Sequence, residues 1–561
     1  MLFFWNPCEC RGSYFVRKSF KEKEGKKMKR TTKKILTLGM TAALTAGALA
    51  GCGSSGSGDS TTAQSGNADG EKVLTFGCQN YGDGLVDPTN QINAAWNLMR
   101  YGVGEALFRF DDNMEVEPWL AESYEVSDDH LTWTIKLKDG IKFSDGCDMT
   151  ATKVKESLDR LKTEGPNGSS TPERFLEYEA EITADDEANT ITIRTVTAYP
   201  DLTGNLAYPV MSIVDVADTT DWDHGVIGTG PYVIDTFTEQ VGYTLVANEN
   251  YREEVPYDRV ELLYMSDASA KAMALKNGQV DLVENITNVA DIQELQNDEN
   301  YTVDITGGVR CGFSWINFNG VLGNDALRQA VIMGIDGEGI CASNLIGGLY
   351  TPGYSVLPSN LSYGYDTLEN PFSYDAEAAR QLLDDAGIVD TDGDGIRELD
   401  GENIVLDYVY YDNRLLKEFA QAHHQYLNEI GIEVNEREGS SDDQWSSLVA
   451  GDYDFNGNNW TTVGNGDPTE YMANWYSKSA SNYCGYANEE YDRLYEQLLT
   501  EMDEATRTEI ITRLQQILID DAAVLVDGYY NSSMIYSKNV GYAHIHTADY
   551  YWLSTEIVPA E

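Results

Sequence analysis

Three stretches of the chain carry residue types that could do chemistry. In "DTDGDGIRELDGE", Asp390, Asp392 and Asp394 with Gly395 repeat the D-x-D-x-D-G spacing of a calcium loop. There, alternate carboxylates of one turn converge on a hard cation that takes oxygen ligands. The twelfth position is Gly401 rather than glutamate, and Glu402 falls one residue late, so the expectation is weak structural calcium or a plain acidic hairpin. His544 and His546 could present two imidazoles on one strand face, short of the ligand number a metal site needs. His423 and His424 are adjacent on a helical pattern, where their side chains diverge. The thiols Cys78, Cys147, Cys311, Cys341 and Cys484 are odd in number and lack C-x-x-C spacing, which excludes a zinc motif and allows two bridges at most. G-x-S-x-G, H-E-x-x-H and P-loop patterns are missing. With 92 acidic residues, carboxylates will lie near one another by chance, so an extracellular hydrolase is only a distant alternative.

Cys52 is a thiol of another kind. Lys29, Arg30, Lys33 and Lys34 form a basic region, residues 35–50 are apolar and small, and Leu49-Ala50-Gly51-Cys52 follows. The apolar run is short for a membrane span and has the pattern of a cleaved export signal. Leu-Ala-Gly-Cys resembles the lipobox of bacterial lipoproteins. That resemblance implies cleavage before Cys52 and a diacylglycerol on its thiol. Residues 1–51 then form an upstream extension and signal peptide, with Met28 directly before the basic region. Residues 52–71 form a Gly/Ser-rich tether with a reach of about 25 Å.

Charge bounds the partners. Eleven of the 39 basic and three of the 92 acidic residues precede Cys52, which leaves 28 against 89 beyond it. Such a surface repels phosphate backbones and anionic lipid, so nucleic acid is excluded and the membrane is reached through the anchor alone. A chain of 561 residues with 35 Tyr and 10 Trp is globular and too long for one core.

The elements that must position any site are mixed. Leu131, Trp133, Ile135 and Leu137 alternate with polar residues as a half-buried strand does. "EKVLTFG", "NTITIRTV" and "IEVNERE" read the same way. Thr150 caps a helix whose Val154, Leu158 and Leu161 share a face, Asn324 or Asp325 opens another, and Asp375 and Gly387 bracket a third. Strands and helices do not alternate strictly, and the fold class is α/β in several lobes.

"PWLAESYEVSDDHLTWTIKLKDGIKFSDGCDMTATKVKESLDRL" (residues 118–161) resembles the signature of the family 5 extracellular solute-binding proteins of ABC importers, the receptors for oligopeptides, dipeptides and nickel complexes. "GTGPYVIDTF" from Gly228, "ENYREEVPYDRVELLYMSDASAKAMALKNGQVDLVENI" from Glu249, "NDALRQAVIMGIDGEGI", "GGLYTPG" and "NGDPTEYMANWYSKSASNYCGYANEEYDRLYEQLL" extend it in order along most of the mature chain. The resemblance implies a two-lobed, periplasmic-binding-protein-like fold (type II, Venus-flytrap) with an extra inserted subdomain. Lobe I would comprise 72–112, 227–308 and 528–561, the insert 113–226, and lobe II 309–527. Hinge strands are expected near Gly308–Phe313 and Gly528–Ser533.

The same resemblance implies capture without chemistry: a monomeric receptor closes on a ligand, with short peptides expected first, and presents it to a permease at the cell surface or in the periplasm. A saccharide or a nickel complex is the alternative ligand. No cofactor is expected beyond a structural calcium at the acidic loop.

Site residues follow from the resemblance less directly. Peptide-binding relatives carry Gly-Trp-x-x-Asp shortly before Asn-x-Asp-Pro, and that aspartate meets the ligand ammonium. In "NNWTTVGNGDP", Trp460, Asn465, Asp467 and Pro468 match, but Val463 or Gly464 stands where the aspartate should be. Trp460, Thr461, Asn465 and Asp467 are candidate ligand contacts, with Asp467 expected chiefly in an Asp-Pro structural role. Asn80, Tyr81 and Asp83 are candidates from the first loop, and Arg414 is the candidate partner for a ligand carboxylate.

Overall fold

The computed structural model describes residues 70–168 and 179–561. Cys52, the signal and residues 52–69 of the tether lie outside the described residues.

The alternation around Trp133 becomes the strand Thr132–Leu137, with Trp133, Ile135 and Leu137 buried. It is central in a four-stranded antiparallel sheet with Ala121–Val126, Thr190–Thr195 and Glu179–Asp185. The helix Ala151–Gly168 buries Val154, Leu158 and Leu161, and the Thr150 hydroxyl accepts from the Lys153 N–H at 3.3 Å. Period-2 and period-3.6 patterns thus meet in one core, which also takes in Phe108, Phe110 and Tyr199.

A larger, eleven-stranded sheet carries the rest. Two long strands, Tyr301–Ile316 and Val524–Ser537, pair antiparallel at its centre. On one side, Leu282–Glu284 pairs with Met534–Tyr536 and leads to Val73–Cys78, Arg259–Tyr264, Gly242–Ala247 and Tyr232–Thr238. On the other, Phe455–Thr461 pairs with Arg310–Ile316 and leads to Val405–Tyr411 and Glu433–Gly439. Among the described residues, these two strands alone carry the sheet from one half to the other. Their register shifts between Gly307 and Arg310 and between Gly312 and Phe313, while Gly528 has φ +133°. Bulged strand with glycine is the form of sheet that bends most easily.

Glycines of "GTGPY" serve close packing. A Cβ on Gly228 would sit 2.0 Å from the Val103 carbonyl oxygen, and one on Gly230 would sit 2.2 Å from that of Gly102. Beside them, buried Glu105 takes two hydrogen bonds from Arg252 at 2.8 and 2.7 Å and one each from Thr229 and Tyr251. The acid is therefore fully compensated. Cys78, Cys147, Cys311, Cys341 and Cys484 are free thiols. No helix among the described residues is long and apolar enough to cross a membrane.

Candidate ligand-binding cleft

Where the two long strands pass between the halves of the sheet, a cleft of about 640 Å³ opens. Gln79, Tyr81, Trp96 and Tyr208 line it from one side, with Tyr411, Arg414, Ser440, Trp460 and Thr461 from the other; Arg310 lies at the bulge itself. Arg310 is buried, its guanidinium 5.5 Å over the Trp96 ring and donating to the Asn459 carbonyl at 3.2 Å. Burial first, then the positive charge of Arg414, push it down to about 10.

Arg414 is positioned by backbone strain. Arg414 and Leu415 both have positive φ, 47° and 61°, immediately before the helix Leu416–Glu429. For non-glycine residues that costs about 1–2 kcal/mol each and needs support from outside the turn. The Tyr350 hydroxyl supplies it, donating to the Arg414 carbonyl at 2.7 Å and accepting from Asn459 Nδ2 at 2.9 Å. Neither Arg310 nor Arg414 makes an ion pair among the described residues. Two guanidiniums so placed, with only exposed Asp412 as an acid on the same lining, suit an anionic group of a ligand.

The cleft runs past Trp460 and Thr461 into a side pocket of about 250 Å³. Its walls include Tyr208, Trp445, Tyr483, Asn465, Asp467 and Glu470. Rings of Trp445 and Trp460 lie 6.3 Å apart, and those of Trp445 and Tyr483 5.4 Å apart edge-on. The loop beneath is anchored from both sides. Val463 is fully buried, the Gly464 carbonyl accepts from the Tyr550 hydroxyl at 2.8 Å, and a Cβ on Gly204 would meet the Asn465 carbonyl oxygen at 2.1 Å.

The sequence candidates separate accordingly. Tyr81, Arg414, Trp460 and Thr461 line the main cleft, and Trp460, Thr461, Asn465 and Asp467 the side pocket. Asp467 is engaged by Arg507 and by the Thr469 N–H at 2.8 Å, so its carboxylate fixes the loop. Asn465 is buried against Asp201. Asn80 is half-buried and absent from the cleft lining, and Asp83 is exposed in a left-handed turn (φ 57°), away from it. Arg310, Trp96, Tyr208, Trp445 and Glu470 were not read from the sequence. Only Arg310 had a usable signal, a lone charge in the strand-like "GGVRCGFSWI".

The metal candidates lie elsewhere. Asp390 accepts from the N–H groups of Gly393 and Gly395 at 2.6 and 2.9 Å, and Asp394 accepts from Ile396 N–H and Asn403 Nδ2, both at 2.8 Å. The carboxylates that cluster within 4.8 Å are those of Asp390, Asp392 and Glu398; Asp394 stands outside the group. His544 sits between Asp304 (2.7 Å) and Asp112 (3.2 Å), while His546 contacts the Asp111 carbonyl. Both histidines line a separate cavity of about 420 Å³, not the cleft.

Comparison with known proteins decides the family. The model for bacterial extracellular solute-binding proteins, family 5 (middle), matches residues 115–483. The chain belongs to this family. Its members are solute receptors of ABC importers that lie outside the cytoplasmic membrane, not enzymes. This family 5 protein is 27% identical to the nickel-binding protein NikA of Staphylococcus aureus over 73% of its own length and 80% of the relative's. It is 25% identical to the oligopeptide-binding protein AppA of Bacillus subtilis, over 79% and 84% respectively. Among solved structures, NikA of Brucella suis in complex with Fe(III)-EDTA superposes with a TM-score of 0.79 at 21% identity, covering 87% of this chain and 100% of that one. That likeness shows the two-lobed fold.

Proposed function

We propose that this receptor is held at the membrane by a lipid on Cys52, captures short peptides in the cleft, and delivers them to its permease. The observation that carries the reading is the Arg310–Arg414 pair. Two guanidiniums without ion-pair partners among the described residues line a cleft of a mature chain that holds 89 acidic and 28 basic residues. Such charges are costly to keep apart from water unless a ligand anion compensates them. A peptide carboxylate fits, and bidentate geometry would favour it.

The neighbouring backbone suits a peptide too. Registered pairing of Phe455–Thr461 with Val405–Tyr411 ends at Asn456, so the following residues on that edge can take an added strand. A ligand touching Tyr81 and Trp96 from one half and Arg414 and Trp460 from the other gains most when the halves approach, which draws the population toward closure. Relatives whose names specify nickel make a metal chelate the second reading. No histidine or cysteine lines either part of the cleft, so a nickel ion would enter inside a chelate whose carboxylates meet the same arginines.

Calorimetry with a tripeptide and its C-terminal amide, on the protein and on Arg414→Ala, tests this. The acid should bind roughly 10- to 100-fold more tightly than the amide, with the difference largely lost in the variant. Equal binding of acid and amide would refute the carboxylate reading.

A further inference from the structure

Asp527 sits where the two long strands shift register. Gly312 pairs with Gly528 and Phe313 with Val526, so Asp527 is the extra residue of a bulge. Its carbonyl accepts from the Cys341 thiol at 3.3 Å, and its side chain is fully buried. Among the described residues, neither of its carboxylate oxygens has a hydrogen-bond partner, and no lysine or arginine pairs with it.

The ionisable groups around it come from five elements. They are Cys311 on Tyr301–Ile316, Cys341 on the helix Gly337–Ala342, Tyr350 on the short strand Tyr350–Thr351, Tyr408 on Val405–Tyr411 and His423 on the helix Leu416–Glu429. Burial pushes both thiols and both phenols up and the imidazole down to about 3, so none of the five is charged at neutral pH. An ionised carboxylate there would be uncompensated, and burial holds the Asp527 acid well above the ordinary range.

One group is placed to take its proton. His423 Nε2 stands 3.5 Å from Asp527 Oδ1. On the other side of the ring, His423 Nδ1 is 3.2 Å from the Tyr408 hydroxyl, which is 2.7 Å from Ser314 Oγ. All four residues are buried. Ser314 belongs to one long strand and Asp527 to the other, so the set runs from strand to strand by way of the helix. That helix starts at the strained turn of Leu415 and the cleft residue Arg414.

We infer that Asp527, carrying its proton, is a positioning residue of the hinge: its acid donates to His423 Nε2, the imidazole to Tyr408, and Tyr408 to Ser314. One proton thereby ties the bulge to the helix that presents Arg414. The Asp527–His423 link is the longest of the three, so a bend at the bulge makes or breaks the set there. Its bearing on the ligand rests on the carboxylate reading above.

An acid raised on folding contributes stability that is full below its unfolded pKa of about 3.9 and is lost as pH rises toward the folded value. His423, lowered on folding, acts in the opposite sense: its contribution is full above its unfolded pKa of about 6.5 and is lost as pH falls toward the folded value. The two slopes oppose each other between about pH 4 and 6.5, and the acid acts without that opposition above about pH 6.5.

Infrared difference spectroscopy of the ligand-free protein at neutral pH tests the proton directly. Asp527→Asn should remove one carboxylic-acid carbonyl band, and His423→Leu should shift the same band, because the acid loses its acceptor. No such change in either variant would overturn the assignment. Amide hydrogen exchange, corrected for intrinsic rates, reads the hinge. Above about pH 6.5, opening of residues 524–530 should rise by up to about tenfold per pH unit relative to Asp527→Asn, whose amide donates to His423 at any pH. Parallel profiles would overturn the positioning role. Calorimetry with a tripeptide acid should show affinity falling over the same window relative to Asp527→Asn, and parallel affinities would overturn the tie to Arg414. Equal binding of acid and amide, with the infrared and exchange results as expected, would refute the carboxylate reading and leave the hinge assignment standing.

Discussion

At the scale of single residues, three cases show how surroundings decide what a charged side chain does. Glu105 and Arg252 are locked together by two short hydrogen bonds, with the Glu105 side chain fully buried. Arg252→Met should cost about 3–5 kcal/mol, measured by denaturant unfolding, because it leaves an uncompensated buried acid. Arg310 and Arg414 have no such partner among the described residues and line the cleft. His544 lies between: burial pulls its pKa down, but the carboxylates of Asp112 and Asp304 outweigh that and hold it above the ordinary value. A group raised on folding contributes stability below its unfolded pKa of about 6.5 and loses that contribution as pH rises through the folded value. Stability of the protein should therefore fall over that window more than stability of His544→Asn, as thermal melts across pH would show.

Of the residues that line the cleft, the sequence reading names Tyr81, Arg414, Trp460 and Thr461 but not Trp96, Tyr208 or Arg310. Tyrosines and acids are so common here that no single one stands out, and a cleft assembled from residues 79 to 461 leaves no local spacing. Asp83, a candidate from the same first loop as Tyr81, is exposed in a left-handed turn and does not line the cleft.

At the scale of elements, legibility follows locality. The helices at Asn324, Asp375 and Thr150 begin where their caps are, because a cap acts within one turn: Asn324 accepts from Leu327 N–H at 3.0 Å and Asp375 from Ala378 N–H at 2.9 Å. The sixteen-residue strand Tyr301–Ile316 is different. Val524–Ser537 runs beside both of its halves, but only the second half is also paired to Phe455–Thr461, so its burial pattern changes midway and no single period describes it. Glycine contacts give the sharpest test at this scale. Gly230→Ala would drive a methyl group into the Gly102 carbonyl and should cost about 1–3 kcal/mol, read as a lower midpoint in urea unfolding. Gly140→Ala, with open space around its Cβ position but positive φ, should cost about 1–2 kcal/mol, through backbone strain alone.

At the scale of the whole molecule, a sheet continuous through two long strands lets one bend serve both halves. Ligand should reduce the radius of gyration in solution scattering and change tryptophan emission, since Trp96, Trp445 and Trp460 line the cleft. An unchanged scattering curve at saturating ligand would contradict closure. Under the proposed function the cleft holds an anionic small molecule and releases it unaltered. Mass spectrometry of what denaturation releases from protein purified out of rich medium is the first measurement to make. Intact short peptides with free C-terminal carboxylates, about one per chain, are expected. Recovery of neutral saccharides, or of cleavage products that accumulate on incubation, would contradict that proposal.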